Sequence, residues 1–178
     1  MDAYYEMEHW GIQIYAAIDT YSRAIIWIYV GITGRTAMSV LAQYIATLSK
    51  TNIMPQYVRS DRGGETTMAA DAHYQLSKKI RSESSARLSE SSGPYHESFG
   101  PAAEYLQPPP LPFSFEDCFK FGTSKANQRI ESWWNQMCRS ALGRWIQMFK
   151  NFSKAGVYDP ASPLDRIAFF AIYIPIIQ

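Results

Sequence analysis

The sequence has few of the residues that mark disulfide-rich, zinc-binding or membrane-spanning proteins. Two cysteines, Cys118 and Cys138, occur in 178 residues, they form no CxxC pair, and the three histidines have no metal-ligand spacing. These absences exclude a disulfide framework and a zinc finger, and they favour a reducing compartment. The longest apolar run, residues 167–177, is interrupted by Pro175 and is too short to span a bilayer. No charged-then-apolar leader opens the chain, so we expect neither secretion nor a membrane anchor.

A net charge of +1 says little, but the charges are unevenly distributed. Residues 1–20 contain four acids and no Lys or Arg, whereas residues 118–154 contain seven Lys and Arg and the single acid Glu131. A half-buried carboxylate in a basic, aromatic segment needs a cationic partner, and a metal ion is one candidate. An acidic cluster beside a basic surface suits a metal site bordered by phosphate-binding groups, although a solvated helix face has the same composition.

Local patterns predict one folded domain over residues 1–178 of mixed α/β class. The hydrophobic content of 47% and aromatic content of 15% are typical of a chain that buries a core. Apolar alternation in 12–18 and the β-branched run 24–30 indicate an antiparallel hairpin. A helix over 37–48 and a strand over 56–60 complete a β-α-β crossover. Further apolar stripes predict helices over 130–148 and 164–177, the second limited by Pro175.

Residues 82–112 differ in composition from the rest of the chain. They are rich in serine in their first half and hold six of the ten prolines, without a sustained apolar period. Such a segment cannot bury enough apolar surface to offset its ordering entropy. We therefore predict a flexible Ser/Pro-rich insertion at about 82–112 that interrupts the domain.

Three short segments resemble the retrovirus-type integrases and transposases, whose catalytic core uses two Asp and one Glu. They read IDTYSR at 18–23, RSDRGGE at 59–65 and NQRIESWW at 127–134. Each segment alone is weak, but the three occur in the order found in eukaryotic "integrase core domain" proteins related to mobile elements. The resemblance implies an RNase H-like mixed sheet with flanking helices, truncated at both ends relative to the family.

The same resemblance implies a catalytic site in which Asp2, Asp61 and Glu131 hold Mg²⁺ or Mn²⁺. Asp61 follows a short strand and Glu131 lies on a helix, which suits hard cations that take oxygen ligands from rigid elements. Two acids compete for the third position. In related integrases the catalytic acid precedes the IDTYSR segment by one hairpin, which selects Asp2. Asp19 is the alternative, and its competing interpretation is a turn residue that caps its own backbone.

The implied substrate is DNA. Lys125, Gln128, Arg129 and Arg139 are the candidate nucleic-acid-binding residues, because they flank the expected metal site on the basic segment. The implied function is DNA integration or transposition by Mg²⁺-dependent polynucleotidyl transfer, meaning end processing and strand transfer. The implied location is the nucleus, and the resemblance is compatible with a homo-oligomer. Two alternatives stay open: an inactive or domesticated mobile-element relic that keeps the fold and binds nucleic acid, and an RNase H-like nuclease without joining activity.

Overall fold

A computed structural model describes residues 1–91, 113–122 and 128–178 of the chain. Its first sheet is antiparallel, in the order β1 (Asp2–Tyr4), β2 (Gln13–Ile18) and β3 (Ile25–Gly31). Asp2 lies opposite Ala16, and the pairing of β2 with β3 is irregular between Ala17 and Ile18. The hairpin predicted from apolar alternation is confirmed by the antiparallel pairing of β2 with β3.

A second sheet pairs β4 (Val58–Ser60) with β5 (Phe119–Phe121) in parallel. The α-amino group of Met1 donates a hydrogen bond to the Arg59 carbonyl at 3.0 Å. This bond places the start of β1 beside β4, so the two sheets lie edge to edge at this point. The mixed α/β class predicted from the local patterns is confirmed.

In the part of the chain that the structure describes, five α-helices surround these strands. They are α1 (Ala37–Thr51), α2 (Thr67–Ser91), α3 (Gln128–Met137), α4 (Gly143–Lys154) and α5 (Pro163–Ile177). One π-helical turn, Cys138–Leu142, joins α3 to α4, so the apolar stripe predicted over 130–148 is divided between two helices. Within residues 1–91, 113–122 and 128–178, every helix is too short or too polar to span a bilayer.

The ends of α1 and α5 follow from capping chemistry. The Thr36 hydroxyl accepts the Ser39 amide at 3.1 Å, and Asn52 ends α1 in the left-handed region at φ 52°. Ser162 caps α5 in the same way, with Pro163 in the first turn. The helix predicted over 164–177 is confirmed, and it ends two residues after Pro175. A proline in the last turn removes a single hydrogen bond, and the Gln178 amide still reaches the Ile174 carbonyl.

Helix α2 was missed by the sequence patterns and alters the predicted insertion. It continues to Ser91, so residues 82–91 are helical, whereas residues 92–112 lie outside the described part of the chain. The α2 segment contains four Ala and two each of Lys, Arg and Glu, which favour helix intrinsically even where no apolar stripe marks a buried face. The flexibility of the insertion stays a prediction.

Alternate residues of β1 and β2 face two separate cores. Tyr4, Ile14 and Ala16 pack with residues of α3, α4 and α5, which we call the aromatic face. Ala3, Tyr15 and Ala17 pack with residues of α1, α2 and β5, which we call the mixed face. The sheet is therefore covered on both sides, and the ends of β1 and β4 lie between the two cores.

Candidate active site

Strands β1 and β4 bring the carboxylates of Asp2 and Asp61 into electrostatic contact. Asp2 opens β1, and Asp61 follows the last residue of β4. The pKa of Asp2 is raised to about 6, first by desolvation and further by the negative charge of Asp61. Like charges on neighbouring strands oppose ionisation, and a cation between them would reverse that effect.

The rest of the Asp2 environment favours its charged form. Its Oδ1 accepts the Ala3 amide at 2.9 Å. The indole N–H of Trp134 also interacts with this carboxyl and lowers its pKa slightly, without reaching the geometry of a hydrogen bond. Tyr4 packs on the same indole with ring centroids 5.2 Å apart. Helix α3 is thereby held against β1.

Glu131 lies in the first turn of α3, one helical turn before Trp134, and is partly buried. Its charge is absent from the causes that shift the pKa of Asp2. Within the described residues, no three acidic, His or Cys side chains lie close enough together to hold a metal ion. The structure thus brings Asp2 and Asp61 together and carries Glu131 on the adjacent helix, outside that pair.

Asp19, the alternative to Asp2, serves the turn of the β2–β3 hairpin. Its Oδ2 accepts the Ser22 amide at 2.8 Å and the Ser22 hydroxyl at 2.5 Å, and its Oδ1 accepts the Tyr21 amide at 3.3 Å. These bonds lower the pKa of Asp19. A carboxylate that satisfies its own turn is the capping arrangement considered for it from the sequence.

The predicted nucleic-acid-binding residues lie in different settings. Arg129 donates to the Thr20 carbonyl and ties α3 to the hairpin turn. Gln128 and Arg139 are exposed, at the start of α3 and in the π-helical turn. Lys125 lies outside the described residues. The role of all four in binding DNA stays a prediction.

Two further residues near the acid pair were not assigned to the site from the sequence. The Glu65 carboxylate folds back over Gly63, where an added Cβ would collide with it. The Tyr15 hydroxyl is fully buried without a hydrogen-bond partner among the described residues. Burial raises the pKa of Tyr15 strongly, and Glu65, Asp61 and Asp2 add to that effect in this order. Glu65 occurs in the RSDRGGE segment, whereas no local pattern distinguishes Tyr15 from other strand residues.

Comparison with protein families finds a likeness in this part of the molecule. Residues 1–87 match the integrase core domain. The matched segment contains Asp2, Asp61 and strands β1 to β4, whereas β5 and Glu131 lie beyond it. The resemblance to integrase and transposase catalytic cores is therefore confirmed over this segment, and it supports a function related to integration or transposition. No match was found among curated proteins or among solved structures.

Proposed function

We propose that this protein processes and joins DNA ends by polynucleotidyl transfer that depends on Mg²⁺ or Mn²⁺. The observation that carries the proposal is the pair Asp2 and Asp61, two carboxylates on neighbouring strands inside the segment that matches the integrase core domain. Carboxylate oxygens are the ligands that such hard cations prefer. The proposed site of action is the nucleus.

The contact between the two sheets supports an RNase H-like arrangement. Because β1 pairs with β2, and Met1 directly before β1 donates to the Arg59 carbonyl of β4, the strands follow the order β3, β2, β1, β4, β5. Strand β1 is then central, and its acid lies next to the acid that follows β4. This order supports the proposal of the RNase H-like sheet that the family resemblance implies.

The residues present fit a divalent cation. Burial and the neighbouring Asp61 charge raise the pKa of Asp2, and binding of a cation would favour the ionised form of both groups. In the proposal Glu131 supplies the third carboxylate, carried by the helix whose Trp134 lies beside Asp2. A bound divalent ion would stabilise charge on the phosphate and activate the attacking oxygen.

The protein's own residues then orient the substrate. Gln128, Arg129, Arg139 and Lys125 would hold the DNA backbone through phosphate contacts, which position a duplex without reading its sequence. Arg129 also fixes the start of α3 against the hairpin, so its loss affects both binding and the placement of Glu131. A homo-oligomer is compatible with this arrangement, because joining two DNA ends requires two sites.

The test combines metal binding with chemistry on a labelled oligonucleotide duplex. Mg²⁺ and Mn²⁺ should raise the thermal unfolding midpoint of the protein, and Asp2→Asn, Asp61→Asn and Glu131→Gln should each reduce that shift. The same three variants should lose metal-dependent cleavage and joining of the duplex. Asp71→Asn, an exposed acid of α2, is the matched control and should keep both properties.

Other outcomes would redirect the proposal. If Asp19→Asn folded normally but were inactive while Asp2→Asn remained active, the assignment of the first acid would be reversed. Metal binding without any cleavage, in a protein that still binds DNA, would indicate an inactive element-derived protein. Cleavage without joining would indicate a nuclease.

A further inference from the structure

Tyr5 is an aromatic residue at the edge of the candidate active site. It directly follows β1, three residues after Asp2, and a strand advances about 3.3 Å per residue, which places the two residues roughly 10 Å apart. The Tyr5 side chain is 49% exposed. A large ring therefore faces solvent close to the acid pair.

One face of the Tyr5 ring is held by a cation. The Arg35 guanidinium lies over it, 4.3 Å from the ring centroid. The same guanidinium is paired with Glu8 at 2.5 Å, and the Arg35 amide donates to Gln13 Oε1 at 3.2 Å. Two anchors fix the cation and the cation fixes the ring, so the ring is oriented before a ligand arrives and little ordering entropy remains to be lost on binding.

The exposed surface of Tyr5 belongs to the other ring face and the ring edge, and within the described residues no second aromatic ring stacks there. Burial raises the pKa of Tyr5, the Arg35 charge opposes this effect, and three neighbouring carboxylates add to it. They are those of Glu65, Asp2 and Asp61. Because these acids repel phosphate and the guanidinium is already paired, the open face suits a neutral, flat group and not a charged backbone. A nucleobase is such a group, and an exposed aromatic ring is a surface on which bases stack.

We propose that the open face of Tyr5 is the stacking platform for an unpaired nucleobase at the DNA end on which the acid pair acts. The inference rests on the proposed function, and it specifies the substrate as a duplex whose end carries unpaired nucleotides. A base inside a duplex is covered on both faces by its neighbours, so only an unpaired base reaches the ring. The platform is tolerant of sequence, because every base has a π-face.

The probes are two fluorescein-labelled duplexes, followed by fluorescence anisotropy at low salt without metal. One carries a short overhang of unpaired adenines, and the other carries the same overhang as abasic residues, which keeps every phosphate and removes the bases. The protein should bind the adenine overhang on the order of tenfold more tightly, in at least one of the two overhang polarities. Equal binding of the two overhangs in both polarities would overturn the platform and leave DNA binding intact. Binding of neither duplex would overturn the platform together with the proposed function.

Protein variants locate the platform. Tyr5→Ala should bind the adenine overhang as weakly as the abasic one, whereas Tyr5→Phe keeps the ring and should bind both as the parent does. Tyr21→Ala, at a tyrosine that is 95% exposed in the hairpin turn, is the matched control and should change neither affinity. Circular dichroism checks folding, and the abasic comparison decides the question if Tyr5→Ala does not fold. A folded Tyr5→Ala that still prefers the adenine overhang would contradict the platform at this residue. Cleavage is not the readout, so a protein that shows the predicted preference but never cuts DNA would refute the proposed chemistry alone.

Discussion

The aromatic face and the mixed face of the sheet hold their helices by different interactions. On the aromatic face, Phe149 is fully buried and its ring centroid lies 4.6 Å from that of Phe169 and 5.0 Å from that of Tyr173. On the mixed face, a 2.6 Å hydrogen bond joins the Nδ1 atom of the fully buried His73 to the Tyr44 hydroxyl. Stabilisation by buried apolar surface is non-directional, whereas a buried polar pair depends on the position of single atoms.

This contrast has a consequence for pH. Burial lowers the pKa of His73, so the mixed face is built around a neutral imidazole. The unfolded chain binds a proton at the ordinary histidine pKa, and the folded state resists protonation to a lower pH. Stability from the mixed face is therefore lost as the pH falls below about 6.5, while ring packing on the aromatic face has no such dependence.

The largest loss of stability is expected from a substitution on the aromatic face. Phe149→Ala should lower the free energy of unfolding by about 3–5 kcal/mol, because it removes a buried ring and leaves a cavity among aromatic neighbours. Urea unfolding followed by tryptophan fluorescence measures it. Phe121→Ala, at a half-exposed ring of β5, is the matched control and should cost less. A loss under about 1 kcal/mol for Phe149→Ala would mean that this face collapses around the cavity.

A smaller effect is expected on the mixed face. Tyr44→Phe keeps the ring but leaves the Nδ1 of buried His73 unpaired, at a cost of about 1–3 kcal/mol. Tyr21→Phe removes a hydroxyl from a side chain that is 95% exposed and should change nothing measurable. Equal stabilities for the two variants would show that the polar pair contributes no more than the apolar packing around it.

The elements best predicted from the sequence are those with a local burial signal. The alternation of β2 and the apolar spacing of α1 each report a buried face directly, and both elements formed as expected. Helix α2 has no such stripe over most of its length. Strand β5 has three residues, too few to establish a period. Its pairing with β4 brings together residues about sixty positions apart.

The residues of the candidate site also differ in how well the sequence predicted their positions. Asp61 was placed at a strand end by the β4 pattern, and Asp2 by the family resemblance, and the structure brings both together. The distance from this pair to Glu131 depends on how α3 packs against β1, which no local pattern specifies. The Tyr44–His73 pair likewise joins two helices, and the sequence spacing of the histidines gave no indication of it.

The ionisation of Asp2 makes stability depend on pH in the opposite direction to that of His73: it lowers stability as the pH rises. An unperturbed Asp ionises at 3.8, whereas the folded pKa is about 6. As the pH rises from about 4 to 6, Asp2 loses its proton in the unfolded state before it does so in the folded state. The free energy of unfolding therefore falls over this range, and above pH 6 it stays at the lower value. Asp2→Asn should therefore stabilise the protein at pH 8 by about 1 kcal/mol after allowing for solvent screening.

Measuring urea unfolding of Asp2→Asn and the parent protein between pH 4 and 8 checks this prediction. The advantage of the variant should shrink toward pH 4 and reappear above pH 6. Saturating Mg²⁺ should cancel it, because the cation stabilises the ionised parent and not the amide. A variant that is less stable than the parent at pH 8 without metal would mean that the carboxylate is already paired in the folded protein.

The smallest effect concerns the ion pair that links the segment before α1 to the turn after β1. Arg35 Nη1 lies 2.5 Å from Glu8 Oε1, and the guanidinium also stacks on Tyr5, 4.3 Å from the ring centroid. With the Glu8 side chain 37% exposed, solvent screening keeps the contribution of this pair below about 1 kcal/mol. Glu8→Gln should therefore reduce stability slightly, and the reduction should vanish at 1 M salt.

Arg35→Ala should cost more than Glu8→Gln, because it also removes the stacking on Tyr5. A salt-independent loss in Glu8→Gln would show that hydrogen bonding, and not charge, holds this corner of the sheet.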